Sequence, residues 1–407
     1  MALIVQKFGG SSVADAERIR NVADIVTSTY KQGNDVVVVV SAQGDTTDDL
    51  ITKASEISKS PSKREMDVLL ATGEQASMAL LAMAVGEMGY PVISLTGWQI
   101  QMDTDSSHGS ARIKSVESAR IREELARKNI VIVAGFQGVN RHNDITTLGR
   151  GGSDTTAVSI AVSLQADLCQ IYTDVDGVYT ADPRIVKTAA KLDEITYDEM
   201  LELASLGAQV LHNRSVEMAK RYNINLEVIS SFSRKPGTIV KEASLMERMI
   251  ISGVARDNNV AMVSLIGLPD VPGIAYRVFS LLAKSKINVD VIVQSAGISE
   301  NKDISFTVSK SNLNDTIKAL SNAKASIGFT DMTVSTEISK VSVVGAGMAN
   351  NPGIAAAMFE ALYNEQINII MISTSEIKVS VLIDLKDSER AVNAIHDKFV
   401  RDSQLRS

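Results

Sequence analysis

Residues 263–295 read VSLIGLPDVPGIAYRVFSLLAKSKINVDVIVQS, and residues 341–375 read VSVVGAGMANNPGIAAAMFEALYNEQINIIMISTS. The second stretch repeats the first. Val263, Ser264 and Gly267 match Val341, Ser342 and Gly345. After a two-residue insertion, Pro272-Gly273-Ile274-Ala275 matches Pro352-Gly353-Ile354-Ala355, and Phe279 and Ile287-Asn288 match Phe359 and Ile367-Asn368. Each copy reads strand, Pro-Gly turn, helix, strand, with Pro pre-setting the turn and Gly letting the chain enter the helix closely. A βαββαβ module needs four strands and two helices. The first copy offers strands at 260–266, 289–293, 304–308 and 332–335. The second offers only 341–344, 369–374 and 379–385 before a last helix at 388–400. An orphan strand at 249–254 precedes both copies, and the simplest closure is that it completes the second module. The tail therefore divides into modules at 260–336 and 337–407, the latter completed by the strand at 249–256.

Moving towards the N-terminus, the pattern changes. Residues 36–40 are five consecutive valines, the mark of a strand buried on both faces. Further buried strands are expected at 3–8, 91–95, 130–134 and 168–173, alternating with helical stretches such as 14–29 and 66–88. Strand–helix alternation implies an α/β layer fold with a mostly parallel sheet, whose ligands bind at the carboxyl ends of the strands. The boundary with the repeats lies near 236–247, which gives an N-terminal domain over 1–245.

The whole chain has 407 residues, with 41 Lys+Arg against 48 Asp+Glu and a net charge of −7. That balance argues against a partner that is nucleic acid or a membrane surface. Aromatic residues are only 4 %, so stacking platforms for single strands are not expected either. The lone cysteine, Cys169, rules out an intrachain disulfide and leaves no cysteine zinc site, which fits a reducing, cytoplasmic setting. The longest apolar run, 78–86, is short for a membrane span, and residues 1–10 read as a strand entering a glycine turn, not a cleavable signal.

Three loops carry chemistry. Lys7-Phe8-Gly9-Gly10-Ser11-Ser12 closes the first strand and opens a helix, so its glycine amides could approach an anion; the plain alternative is a tight turn with a surface lysine. Residues 147–157, TLGRGGSDTTA, combine an Arg suited to a carboxylate with hydroxyls and an Asp at a helix start. Simple N-capping would need one such residue, and so many special ones cost backbone entropy. Residues 173–184, TDVDGVYTADPR, follow a buried strand and offer a Tyr and an Arg; the plain alternative is an extended hairpin loop.

Together with SAQGDTTD at 41–48 and TGE at 72–74, these motifs resemble the amino-acid kinase family, and within it the aspartokinase branch. The repeats resemble paired ACT domains, which bind amino-acid effectors. The resemblance spans essentially the whole chain. It implies a three-layer amino-acid kinase fold followed by two ferredoxin-like βαββαβ ACT modules. It further implies transfer of the γ-phosphoryl of ATP to the side-chain carboxylate of aspartate, giving 4-phospho-aspartate on the route to lysine, threonine and methionine. A carboxylate with a reference pKa of ~3.9 is already ionised, so no general base is needed. That fits four scattered histidines, His108, His142, His212 and His396, for each of which a surface or packing role is expected.

The reaction needs charge neutralisation and alignment. By the resemblance, Lys7 contacts the transferring phosphate, Phe8, Gly9 and Gly10 cradle it, and Asp154 orients the lysine. Thr173, Asp174, Tyr179 and Arg184 hold the nucleotide. Arg150 clamps the substrate α-carboxylate within the loop Gly151, Gly152 and Ser153, Glu74 meets its ammonium group, and Ser41, Thr47 and Ser153 bond the carboxylates. Mg²⁺ travels with the nucleotide and no dedicated metal site is expected. Asn213 departs from the family pattern, where many relatives have Pro.

The two repeats differ at one charge: Asp270 precedes the first Pro-Gly turn where Asn350 precedes the second. Asp270 can meet an effector ammonium and the helix start at Gly273, Ile274 and Ala275 can receive its carboxylate, with Gln294 alongside. The resemblance implies feedback inhibition by lysine, threonine or both, a homo-oligomer formed through the ACT domains, and a separate small subunit started internally, for which Met246 and Met249 are candidates.

Overall fold

The computed structural model describes residues 2–206, 210–233, 235–242, 251–295 and 301–401. Met246 and Met249 lie outside the described residues. The chain forms two compact units, Met1–Tyr179 with Ala190–Glu247, and Thr180–Ala189 with Arg248–Ser407.

The first unit is built on an eight-stranded sheet. Its order is Glu194–Thr196, Thr238–Lys241, Leu226–Ser230, Leu168–Thr173, Leu3–Phe8, Asp35–Val40, Ile130–Ala134, Val92–Leu95. Every pairing is parallel except that between Leu226–Ser230 and Thr238–Lys241. The valine run is explained by layers on both faces. Val36, Val38 and Val40 pack with Ile19, Val22 and Val26 of the helix Ala16–Lys31 and with Met78, Leu81 and Val85 of the helix Lys63–Glu87. Val37 and Val39 are equally buried, and the helix Gly152–Leu164 packs against this strand and its neighbours. The helix Lys63–Glu87 is long and apolar enough to cross a membrane. Here it is a core helix, carrying the buried acids Asp67 and Glu74 as well as its sheet-facing residues.

A second sheet in this unit was not expected. It orders Ile113–Val116, Met102–Thr104, Gln137–Val139 and Ile145–Thr147, strands of three or four residues, too short to show a period. Its last strand leads directly into the glycine loop at 149–152.

The second unit holds two four-stranded antiparallel sheets. One orders Ile292–Gln294, Asn301–Ser309, Val260–Pro269 and Asp331–Ser335; with the helices Ile274–Lys284 and Leu313–Asn322 it makes βαββαβ in consecutive order. The other orders Gly253–Asp257, Ile338–Val344, Lys378–Asp384 and Met371–Thr374. Its edge strand Gly253–Asp257 comes from before the first copy and pairs with Ile338–Val344, Val254 opposite Val343. Thr180–Ala189 also belongs to this unit: Ala181 and Val186 are buried in one cluster with Val341, Met358, Leu362 and Ile395.

Candidate functional site

The strands Leu3–Phe8, Asp35–Val40 and Leu168–Thr173 lie side by side and end at the same level. The chain leaves the first towards one neighbour and later returns on its other side, which opens a crevice at the carboxyl ends. Lys7 is the penultimate residue of the central strand. Its Nζ lies 2.7 Å from Asp154 Oδ1, both side chains being 12 % exposed. The contact is an ion pair. Asp154 reaches it from the first turn of the helix Gly152–Leu164, where an anion is also favoured by the helix dipole.

That helix starts from an unusual backbone. Gly151 is left-handed at φ 68°, and a Cβ there would meet the His212 ring at 2.3 Å. Glycine is thus required twice, for conformation and for space. His212 caps the helix Asn213–Tyr222 by accepting from Arg214 N, and burial lowers its pKa. Arg214 in turn donates to the carbonyls of Leu148 at 2.7 Å and Ala111 at 3.0 Å. Asn213 is the first helical residue, a position where proline also fits.

The first glycine turn differs from expectation. Gly10–Val13 is a single 3-10 turn, and the α-helix begins only at Ala16, capped by Asp15. Backbone amides, not a helix start, are what this turn offers. The Gly9 amide donates to the Tyr172 carbonyl at 3.3 Å. Gly10 is held close, since a Cβ there would lie 2.8 Å from the Ala42 carbonyl. The Phe8 side chain is fully buried and stacks on Tyr172 at 4.4 Å, so it packs the core and leaves only its backbone for a nucleotide.

Glu74 is 4 % exposed. Its Oε1 accepts from the Ala42 amide at 3.1 Å, and its Oε2 has no partner among the described residues. Burial pushes its pKa up to about 7, opposed by the Ala42 bond. Ser41 follows the strand Asp35–Val40, and Thr47 lies in the first turn of the helix Thr46–Ile57. Ser153 is buried, Gly152 is wedged against Phe136, and Arg150 is exposed at the mouth of its loop.

The 173–184 motif is divided. Thr173 Oγ1 donates to Asp174, whose side chain is exposed, and Tyr179 bridges to Lys191 within the first unit. Arg184 belongs to the second unit, 88 % exposed and paired with Asp182 at 2.8 Å. In the second unit, Asp270 is already paired with Lys302 at 2.7 Å. Gly273 adopts φ 89° at the start of the helix Ile274–Lys284. The Ile274 side chain is buried in the core, which leaves only its backbone for an effector; Ala275 is partly buried and Gln294 exposed.

Three histidines expected to be bland have specific partners: His108 with Asp67, His212 with Gly151, and His396 with Thr180. No spacing in the sequence signals these contacts, because each joins distant segments.

Residues 2–230 match the amino acid kinase family, and residues 263–323 and 341–399 match an ACT domain. An aspartokinase of Bacillus sp. (strain MGA3) is 52 % identical over 400 residues, 98 % of this chain and 97 % of that protein. The structure of E. coli aspartokinase III in complex with aspartate and ADP, in the R-state, is similar with a TM-score of 0.83 at 27 % identity, covering 98 % of this chain and 100 % of that one. The same enzyme in complex with lysine and aspartate, in the T-state, gives 0.76 at 27 % identity, covering 98 % and 99 %. The chain therefore belongs to the amino acid kinase family, in its aspartokinase branch, with ACT domains following the kinase domain.

Proposed function

We propose that the site moves the γ-phosphoryl of ATP onto the side-chain carboxylate of L-aspartate, and that the observation carrying this reading is the Lys7–Asp154 pair at the strand ends. A carboxylate nucleophile and a phosphate are both anions, so the barrier is largely repulsion, and a fixed cation between them lowers it. Asp154 holds the Lys7 ammonium in place. Gly9 and Gly10 border the transferring group, and Thr173, Asp174 and Tyr179 hold the nucleotide. Arg150 takes the α-carboxylate, Glu74 the ammonium, and Ser41, Thr47, Gly151, Gly152 and Ser153 line the substrate. The bond formed is from a carboxylate oxygen to phosphorus, and ADP departs with the electrons of the broken P–O bond. Mg²⁺ fits this site as a passenger of the nucleotide: a hard cation takes oxygen donors, and Asp154 and Asp174 bring carboxylates to the same strand ends. E. coli aspartokinase III with aspartate and ADP bound supports the choice of ligands.

For regulation, the first ACT module takes an amino-acid effector, lysine or threonine, at Asp270, Gly273–Ala275 and Gln294. The lysine complex of the E. coli enzyme supports that class. The effector ammonium would displace Lys302 from Asp270. A homo-oligomer joined at ACT sheet edges is supported by exposed apolar side chains on edge strands, Ile292, Val293, Val334 and Ile372. A reducing, cytoplasmic setting fits a chain with a single cysteine, Cys169, which is buried.

The test is ADP release with aspartate, glutamate and acetylglutamate as acceptors, with lysine and threonine added separately and together. Turnover of aspartate, reduced by at least one effector, is expected. Turnover of glutamate but not aspartate would sink the reading.

A further inference from the structure

Asp67 lies outside every motif singled out in the sequence, yet it is the most fully engaged carboxylate near the site. It sits in the helix Lys63–Glu87, is fully buried, and accepts from three groups. His108 Nδ1 is at 2.7 Å, the Gly109 amide at 3.0 and 3.1 Å to the two oxygens, and Thr147 Oγ1 at 2.5 Å. Each of these donors is fixed to the loop that presents Arg150. Thr147 stands three residues before Arg150, and its carbonyl accepts from the Ala111 amide at 2.9 Å. Gly109 presses on Gly149, where a Cβ would lie 3.1 Å from the Gly109 carbonyl and where φ is 77°. Asp67 thus ties down both chain segments that meet at Arg150.

Glu74 stands on the same helix seven residues later. Seven residues are close to two turns, so the two acids project from one face about 10.5 Å apart along the axis. One is saturated with donors and the other has an oxygen without a partner among the described residues. We propose that Asp67 is a positioning residue: it sets the distance between Arg150 and Glu74 and so fixes where an amino acid, carboxylate at one end and ammonium at the other, can lie. The proposal rests on the reading of Arg150 and Glu74 as substrate ligands. A helix is a rigid ruler, and a buried anion bonded to three donors is a rigid clamp. Asp67 never touches the substrate.

The test is steady-state kinetics on the full chain with Asp67→Asn, Thr147→Val, Thr147→Ser and Arg150→Ala. Asp67→Asn turns one acceptor into a donor that faces donors. Thr147→Val removes one clamp hydroxyl and Thr147→Ser keeps it, so that pair remains informative if Asp67→Asn folds poorly. We expect KM for aspartate to rise about tenfold in Asp67→Asn and severalfold in Thr147→Val. Thr147→Ser should stay near wild type, and KM for ATP should stay within twofold throughout. A merely structural role would move both KM values and the melting temperature together, with Thr147→Ser no better than Thr147→Val; that pattern overturns the proposal. An aspartate KM raised in Arg150→Ala but unchanged in Asp67→Asn and Thr147→Val overturns the positioning role alone. An unchanged aspartate KM in Arg150→Ala overturns the ligand reading, and the proposal with it.

Discussion

Glu74→Gln should make the ligand-free enzyme more stable in mild alkali and leave it nearly unchanged near pH 4. Burial lifts the Glu74 carboxyl from 4.5 to about 7. Between those values the folded protein keeps a proton that the unfolded chain has released. The sign follows: the stability linked to this group is full below about pH 4.5 and is lost as pH rises through about 7. At pH 8.5 the folded enzyme holds a buried anion whose Oε1 accepts from the Ala42 amide and whose Oε2 has no partner among the described residues. Each pKa unit corresponds to about 1.4 kcal/mol, so the linked cost is about 3 kcal/mol. Glutamine matches the shape of the protonated acid and can still accept from Ala42. In a unit of this size, where 1 kcal/mol moves the midpoint by ~2–4 °C, the variant's first-unit transition should rise by roughly 5–10 °C at pH 8.5 and by little at about pH 4, below the unfolded-chain value. Differential scanning calorimetry at both pH values reads this directly. Aspartate should reverse the ranking at pH 8.5: its ammonium neutralises Glu74 in the wild type and finds no charge in the variant. The variant's KM for aspartate should rise roughly tenfold to hundredfold, the scale of one charged hydrogen bond. A change in midpoint that is equal at both pH values would refute the argument, because it would mean that Glu74 is not a buried anion in the resting enzyme.

Lys7→Ala should lower turnover by roughly 10²–10³-fold, the scale of losing one placed charge stabiliser, with near-normal turnover disproving its role. Asp270→Ala should relieve effector inhibition while leaving uninhibited turnover near normal; an equal loss of both would make the Asp270–Lys302 pair purely structural. His396 is buried, and desolvation lowers its pKa below the ordinary 6.5. Its contribution to stability is therefore present above about 6.5 and lost as pH falls below it, so His396→Gln should flatten the acid limb of the second unit's melting profile. An unchanged limb would assign the acid sensitivity elsewhere.

The parts of the fold that could be read from sequence are those whose pattern is local. Five valines need burial on both faces, and the repeats announce themselves by alignment against each other. The small sheet that ends at Thr147 is invisible because its strands are three or four residues long. Lys7 and Asp154 were each flagged by glycine-rich surroundings, but only the fold brings them to 2.7 Å. Phe8 shows the opposite case. Its place inside a motif suggested a ligand contact, while its neighbour across the sheet, Tyr172, takes its ring into the core. Asp67, His108 and His212 had no signal at all: a lone acid on an apolar helix and two lone histidines look like ordinary surface residues until the chain closes over them. The helix read at 14–29 starts at Ala16, because Asp15 caps it there, and Gly9 and Gly10 therefore lie ahead of it, in and before a 3-10 turn.

The 173–184 motif reads as one loop but is anchored as two. The Val178 amide donates to Thr238 Oγ1 at 2.8 Å, and the Val178 carbonyl accepts from the Leu192 amide at 2.8 Å, both within the catalytic unit. Two residues later the Thr180 carbonyl accepts from the Val254 amide at 2.8 Å, on the edge strand of the second ACT sheet. Thr180 Oγ1 meets His396 Nε2 at 2.9 Å, and Ala181 and Val186 are buried among residues of both helices of that module. Peptide units are planar, so between these anchors the chain has only the soft dihedrals of a few residues around Tyr179. The motif therefore splits between Tyr179 and Thr180, and each half is held by bonds inside its own unit.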